Sequence, residues 1–250
     1  MNVDILTITS LHLELFFDDK RLSYATGFVV KKDDHCYLVT NWHVVSGRNP
    51  KTNKTLSPTG AIPNRIVIWH NQKDKLGSWI ALAYPLQDKD GIPLWKETSV
   101  ENEKNDVVIL PFEDSANISI YPLDLNLKDI DLVISPSEDV TIVGFPYGKA
   151  SAGKFAIWKT GNLASDYDVN YDNKSIFLID ATTKGGMSGS PVFARRIGQV
   201  RSSKGLNIGA SATRFLGIYS GRMVGDDVED IPDIGLVWKT SVLDDLLSSV

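Results

Sequence analysis

The chain has 250 residues, enough for one large domain or two small, tightly joined ones, and long enough to bury a substantial apolar core. With 42% hydrophobic and 23% charged residues it has the make-up of a folded globular chain, not of a disordered one. A net charge of −5 speaks against nucleic acid or an anionic membrane as partner, and a single cysteine, Cys36, excludes an intramolecular disulfide.

The N-terminal stretch MNVDILTITSLHLELFFDDK has no basic segment, and polar residues interrupt its apolar positions. Neither a signal peptide nor a membrane span is read there, and with a lone cysteine the expected location is the cytoplasm. Short runs rich in Val, Ile, Phe, Tyr and Thr then recur between turn-formers, the mark of β-strands. Residues 5–17 alternate in polarity. Residues 25–31 (ATGFVVK) and 36–40 (CYLVT), separated by KDDH, read as a hairpin. A short helical turn is expected at VVSG, after His43. Further strands are expected at 65–70, 78–84, 106–112, 139–145, 154–161, 175–181, 190–194, 207–221 and 234–240. The only clear helix is C-terminal, where Val242, Leu243, Leu246 and Leu247 share one face. About a dozen strands are too many for one small barrel, and no βαβ alternation or fixed repeat is present. The stretch 122–138, with Pro122, Pro136 and several acidic residues, reads as a connection between halves at 1–121 and 139–250 of about six strands each.

Three segments carry chemistry: TNWHVV with His43, NDVVIL with Asp106, and GGMSGSPVF with Ser188. Amide cleavage needs a nucleophile, a base to take its proton, a group that orients the base, and donors for the oxyanion. The glycines around Ser188 permit backbone conformations closed to residues with a Cβ, so the N–H groups of Gly186 and Ser188 can converge on one point. These segments resemble the trypsin-like (chymotrypsin-fold) serine peptidases, especially their bacterial, disulfide-free branch. The chain order His, Asp, Ser is that family's, not that of subtilisins or α/β-hydrolases.

The resemblance implies an all-β fold of two six-stranded antiparallel β-barrels followed by a C-terminal α-helix. The active site would lie between the barrels, with His43 and Asp106 from the first and Ser188 from the second. It implies a serine endopeptidase using His43, Asp106 and Ser188 as triad and Gly186 and Ser188 as oxyanion hole. No cofactor and no metal are implied, and the partner is a protein or peptide substrate. GIYSG (217–221) resembles the strand that lines the S1 pocket and pairs with substrate, so Tyr219, Ser220 and Gly221 are expected there with Gly185. By alignment on the nucleophile loop Thr182 falls at the S1 base, with Thr183 and Arg222 also facing S1. Thr182 in place of an acid argues against a trypsin-like Arg/Lys preference, and Met187 excludes activation by pairing with a clipped N-terminus. Two further readings stay open: a silent peptide-binding module on this fold, and a protease latent until an activating protein partner binds.

Read singly, each residue has a plainer explanation. His43 would be a buried structural histidine and Ser188 part of a tight turn. Glu101 and Glu103 compete with Asp106, but only Asp106 abuts the apolar run. Cys36 reads as a small buried hydrophobe, and His12, His35 and His70 lack metal-ligand spacing. Ser151-x-x-Lys154 with Lys159-Thr160-Gly161 mimics β-lactamase motifs at the wrong separation. Gly144 to Ala150 falls short of a phosphate loop. Asp166 to Asp172 lacks the glycine and the closing Glu of a calcium loop. Asp226, Asp227, Glu229 and Asp230 read as a solvated acidic loop.

Overall fold

The computed structural model describes residues 2–100, 103–223 and 233–250. Glu101 and the acidic run Asp226, Asp227, Glu229 and Asp230 lie outside the described residues. The chain opens with α1 (Ile5–Thr9) and continues through β1 (Ser10–Phe17), β2 (Lys20–Lys32), β3 (His35–Thr40) and the one-turn helix α2 (Trp42–Ser46). Next come β4 (Arg65–Gln72), β5 (Trp79–Pro85), β6 (Lys96–Val100), β7 (Glu103–Phe112) and the short β8 (Ile118–Ser119). These strands form one antiparallel sheet in the order β5-β4-β1-β2-β3-β7-β6, with β8 added to β4. After a 3₁₀ turn at Leu125–Asp129 follow β9 (Asp139–Gly144), a second 3₁₀ turn at Pro146–Gly148, β10 (Ile157–Leu163), β11 (Ile176–Asp180), β12 (Pro191–Ser202), β13 (Gly205–Arg222), β14 (Ile234–Lys239) and α3 (Thr240–Ser248). The strands β10-β11-β14-β13-β12-β9 close into a six-stranded barrel.

The double-sheet, all-β architecture and the C-terminal helix are those expected. The first sheet carries eight strands where six were read. The additions are β6 and β8, a polar hairpin arm and a two-residue edge, whose sequences have no apolar alternation to mark them. A second difference lies at the N-terminus, where the alternating run 5–17 splits at Ser10. Asp4 caps α1 by accepting the N–H of Leu6 at 3.0 Å. The single helical turn then seats Leu6 in the cluster between the two sheets and buries Ile8. Burial there overrides the β preference of ILTIT.

The strands nearest the centre bury both faces. Val29, Leu38, Val108 and Leu110 point into the first sheet's own core with Leu13, Leu15, Ile66 and Ile68. Their neighbours Phe28, Val30, Val39, Val107 and Ile109 point the other way, into a shared cluster with Phe145, Phe193, Phe215 and Trp238. This is why FVV and VVIL are unbroken apolar runs. Phe215 meets Phe28 nearly edge-on at 5.7 Å between ring centres and Phe193 at 5.6 Å. Each such ring contributes about 1.5–3 kcal/mol by burial, and each aromatic pair about 0.5–1.5 kcal/mol more. Helix α3 lays Val242, Leu243, Leu246 and Leu247 on the same cluster. Its C-terminal carbonyls are met by Lys32, whose Nζ donates to Leu247 O at 2.5 Å and Val250 O at 2.7 Å. Cys36 is half-buried against the first core. No helix among the described residues is long and apolar enough to cross a membrane.

Two histidines other than His43 are buried. His70 bonds Tyr84 Oη at 3.0 Å, and His12 bonds Gly148 O at 3.1 Å. Burial holds each near pKa 4, below the ordinary 6.5, with Lys154 adding to the effect at His12. Above about pH 6.5 both states of the chain keep these rings neutral. As pH falls toward about 4 the unfolded chain takes up protons that the folded one refuses, so stability is lost in that window. Urea unfolding is expected to show a lower midpoint at about pH 4.5 than at about pH 7, and His70→Gln is expected to shrink that difference.

Candidate active site

His43 lies on α2, immediately after β3. The N-cap of α2, Asn41, donates through Nδ2 to the backbone carbonyl of Asp106 at 2.6 Å, tying the helix start to β7. The carboxylate of Asp106 then accepts two bonds from the same residue. The backbone N–H of His43 donates to Oδ1 at 2.8 Å, and His43 Nδ1 lies 2.7 Å from Oδ2. A third donor, Ser220 Oγ, reaches Oδ2 at 2.5 Å. Asp106 is 2% exposed, and three donors satisfy an acceptor that burial would otherwise penalise. With a carboxylate on Nδ1, the proton of neutral His43 sits there, and Nε2 is left as an acceptor. That nitrogen faces Ser188 Oγ at 3.0 Å.

Ser188 sits on a loop whose geometry depends on glycine. Gly186 has φ +94° and Gly189 φ +85°, in the region that L side chains avoid. A Cβ on Gly186 would stand 2.4 Å from Phe145 O, and one on Gly189 2.0 Å from Thr26 O. Two carbonyls are drawn back from the cleft. Gly185 O accepts from Tyr147 N at 2.6 Å, and Met187 O accepts from Ser190 N at 3.0 Å. Because a trans peptide holds its C=O and N–H on opposite sides, both bonds turn the N–H groups of Gly186 and Ser188 the other way. Among the described residues neither N–H has an acceptor. Thr26 of β2 braces this arrangement. Its Oγ1 donates to Gly186 O at 2.8 Å and accepts from Phe145 N at 3.1 Å, and its N–H donates to Ser188 O at 2.9 Å.

β13 completes the site through a bulge. Tyr219 pairs with Val237 and Gly221 with Leu236, so Ser220 is the extra residue. Bulges re-aim side chains, and here Ser220 turns its hydroxyl to Asp106 while its carbonyl lies 2.8 Å from Ser188 Oγ. Gly221 and Arg222 line a cavity of about 530 Å³ with His43, Asp106, Ser188 and Ser220. Of the residues expected at S1, Thr182 and Gly185 are exposed, whereas Thr183 is 1% and Tyr219 2% exposed. Those two are bonded to each other, hydroxyl to hydroxyl.

Asn41, Thr26 and Tyr147 also shape the site, though no motif in the sequence assigns them a part. A polar residue inside an apolar run was the available signal for Thr26, and Asn41 directly precedes the His43 helix. Tyr147 carries φ +55° on a non-glycine residue, which sequence does not announce. It belongs to the Gly144–Ala150 stretch, which falls short of a phosphate loop, and it serves here as a backbone donor to the Ser188 loop.

An antiparallel double-sheet fold with a hydroxyl, an imidazole and a carboxylate in line is the arrangement of chymotrypsin-type serine hydrolases. The profile of the trypsin-like peptidase domain matches residues 25–201. The chain belongs to that family. Among solved structures it is similar to the serine endoprotease from Yersinia pestis, at 14% identity and TM-score 0.52 over 97% of this chain and 62% of that one. The chain thus spans less than two thirds of the Yersinia chain. It is also similar to the MamO protease domain from Magnetospirillum magneticum, at 13% identity and TM-score 0.51 over 96% of each chain. At these identities the likeness is one of fold. No curated protein sequence matches the chain.

Gly189→Ala is expected to cost about 2–3 kcal/mol, because the residue must adopt a strained φ and push against Thr26 O. Gly185→Ala, where a Cβ meets open space, should stay within about 0.5 kcal/mol of wild type in the same thermal-unfolding measurement.

Proposed function

We propose that this chain cleaves peptide bonds through an acyl-enzyme, with Ser188 as nucleophile, His43 as general base and acid, and Asp106 as the residue that orients His43. The observation that carries the reading is the His43 ring, bonded at 2.7 Å to Asp106 and at 3.0 Å to Ser188. Ser188 Oγ attacks the scissile carbonyl and its proton passes to His43 Nε2. The imidazolium is stabilised by Asp106 and then protonates the leaving amine. Water, deprotonated by His43, releases the acyl group by the reverse route. A hydroxyl has one proton, and Ser220 O at 2.8 Å is a second acceptor for it. Attack draws on the rotamer that donates to His43.

The oxyanion is received by the N–H groups of Gly186 and Ser188, whose orientation follows from the tied carbonyls of Gly185 and Met187. Such a donor is worth about 3–4 kcal/mol of barrier when lost. The β12 ladder meets β13 at Ile218, and Tyr219 is bonded to Gly189 and Ser190. The edge Ser220–Arg222 runs on past Ser188 toward the cleft, where an extended substrate can add as a strand. None of these steps calls for a cofactor. The two sheets serve as two halves, 1–121 and 139–250, joined by 122–138, and the lone cysteine suits a reducing compartment such as the cytoplasm.

A fluorophosphonate probe is expected to modify Ser188 in the wild type and to leave Ser188→Ala unlabelled, with the site read by mass spectrometry. Asp106→Asn should keep the fold and lower kcat by about 10⁴-fold, since the wrong tautomer then faces Ser188. A well-folded wild type that takes no label would set this reading aside.

A further inference from the structure

We propose that Tyr219 fills the space where the P1 side chain would enter, so that the enzyme takes only small, uncharged P1 residues, glycine, alanine or serine. The inference rests on the protease reading above. With the scissile carbon on Ser188 Oγ and its oxygen toward Gly186 and Ser188, the preceding backbone lies along Ser220–Arg222. The P1 side chain is then aimed into the wedge bounded by Thr183–Gly185, β13 and β14.

That wedge holds the Tyr219 side chain. Its hydroxyl bonds Thr183 Oγ1 on one wall. Its ring lies against the other wall, β14, where a Cβ added to Gly235 would come within 2.8 Å of Tyr219 Cε2. Thr183 and Tyr219 are 1% and 2% exposed, and Tyr219 belongs to the barrel core with Met187 and Val237. Among the described residues, a cavity of about 220 Å³ toward Tyr24 and Leu56 and another of about 530 Å³ toward Arg222 and Met223 reach Ser188. Neither has Thr182, Thr183, Gly185 or Tyr219 in its wall. Among the described residues the space beside Thr183 is taken by the ring, and a large P1 side chain there requires it to leave, which would break the Thr183 bond and unpack the core.

The backbone explains why the ring is held there. Tyr219 N donates to Ser190 O and Tyr219 O accepts from Gly189 N, both at 2.9 Å. The residue is thus clamped to the nucleophile loop on both sides. The bulge at Ser220 lets Tyr219 point inward while its neighbour serves Asp106. Tyr219 is a specificity-determining residue whose side chain acts by occupying a subsite.

The test is the rate at which peptidyl diphenyl phosphonates with P1 Ala, Leu or Phe modify Ser188. In this step Ser188 Oγ bonds to phosphorus, phenoxide leaves, and the Oγ proton passes to His43. A small alkyl fluorophosphonate, which needs no P1 space, runs beside them. Wild type should react with P1 Ala at least about 50-fold faster than with P1 Phe, in the range that pocket size discriminates. Tyr219→Val should raise the P1 Leu and P1 Phe rates, each taken relative to that variant's own alkyl fluorophosphonate rate, by at least about 10-fold. Tyr219→Phe, which keeps the ring but loses the Thr183 bond, should retain the P1 Ala preference and guards against a poorly folded Val variant. Wild type that accepts P1 Phe as well as P1 Ala overturns the inference with the protease reading intact, and so does a Tyr219→Val variant with an unchanged P1 ratio. A wild type that reacts with none of the probes overturns both.

Discussion

The site exists only if groups from two separate sheets meet to within a hydrogen bond, and the constraint that secures this is the grip of Thr26 on the nucleophile loop. Its hydroxyl and N–H fix the Gly186 and Ser188 carbonyls and the Phe145 amide, all from the second barrel, while Thr40 Oγ1 donates to the Thr26 carbonyl at 2.9 Å. β2 and β3 are adjacent in the first sheet, and β3 leads directly into the helix bearing His43. The position of Ser188 is therefore referenced to the same strands that position His43. Buried, satisfied polar contacts of this kind specify one arrangement because any other leaves them unpaired.

The apolar cluster between the sheets supplies the affinity that these polar contacts direct. Phe28, Val107 and Ile109 pack against Phe145, Phe193 and Phe215, and α3 covers the cluster from the C-terminus. Non-directional burial holds the halves together, and the Thr26 bonds choose the register. The same division recurs at Asp106, which takes its place from the strand register of β7 and its charge compensation from His43 and Ser220.

Much of this was legible in the sequence where physics is local. Strands with alternating or doubly buried apolar residues announced themselves, as at 65–70 and 106–112, and α3 showed its face through four residues at helical spacing. The elements that escaped depend on the rest of the molecule. α1 forms because Leu6 has a cluster to enter; β6 is a polar arm whose strand character comes from pairing with β7. The extension of β12 and β13 to Ser202 and Gly205 carries Arg195, Arg196 and Gln199 on mostly exposed positions, so no burial pattern marks it. At the site, residue types gave His43, Asp106 and Ser188 as candidates. The inward turn of Thr183 rather than Thr182, and its bond to Tyr219, depend on backbone direction that spacing does not encode.

In the proposed reading, the bulge in β13 ties the chemistry to the choice of substrate. One extra residue, Ser220, separates an inward Tyr219 from a hydroxyl aimed at Asp106 and a carbonyl beside Ser188. Without it, strict alternation would set the faces of residues 219–221 differently relative to β14. The ring could not lie over Gly235 while the next hydroxyl reached across to the first sheet. Glycine at 235 completes the logic, since any side chain there would contest the space that Tyr219 occupies. The three residues act as one unit in which the Ser220–Asp106 bond and the place of the Tyr219 ring are fixed by the same backbone irregularity. A change that straightened this strand would be felt at the His43–Asp106 pair and beneath Ser188 together.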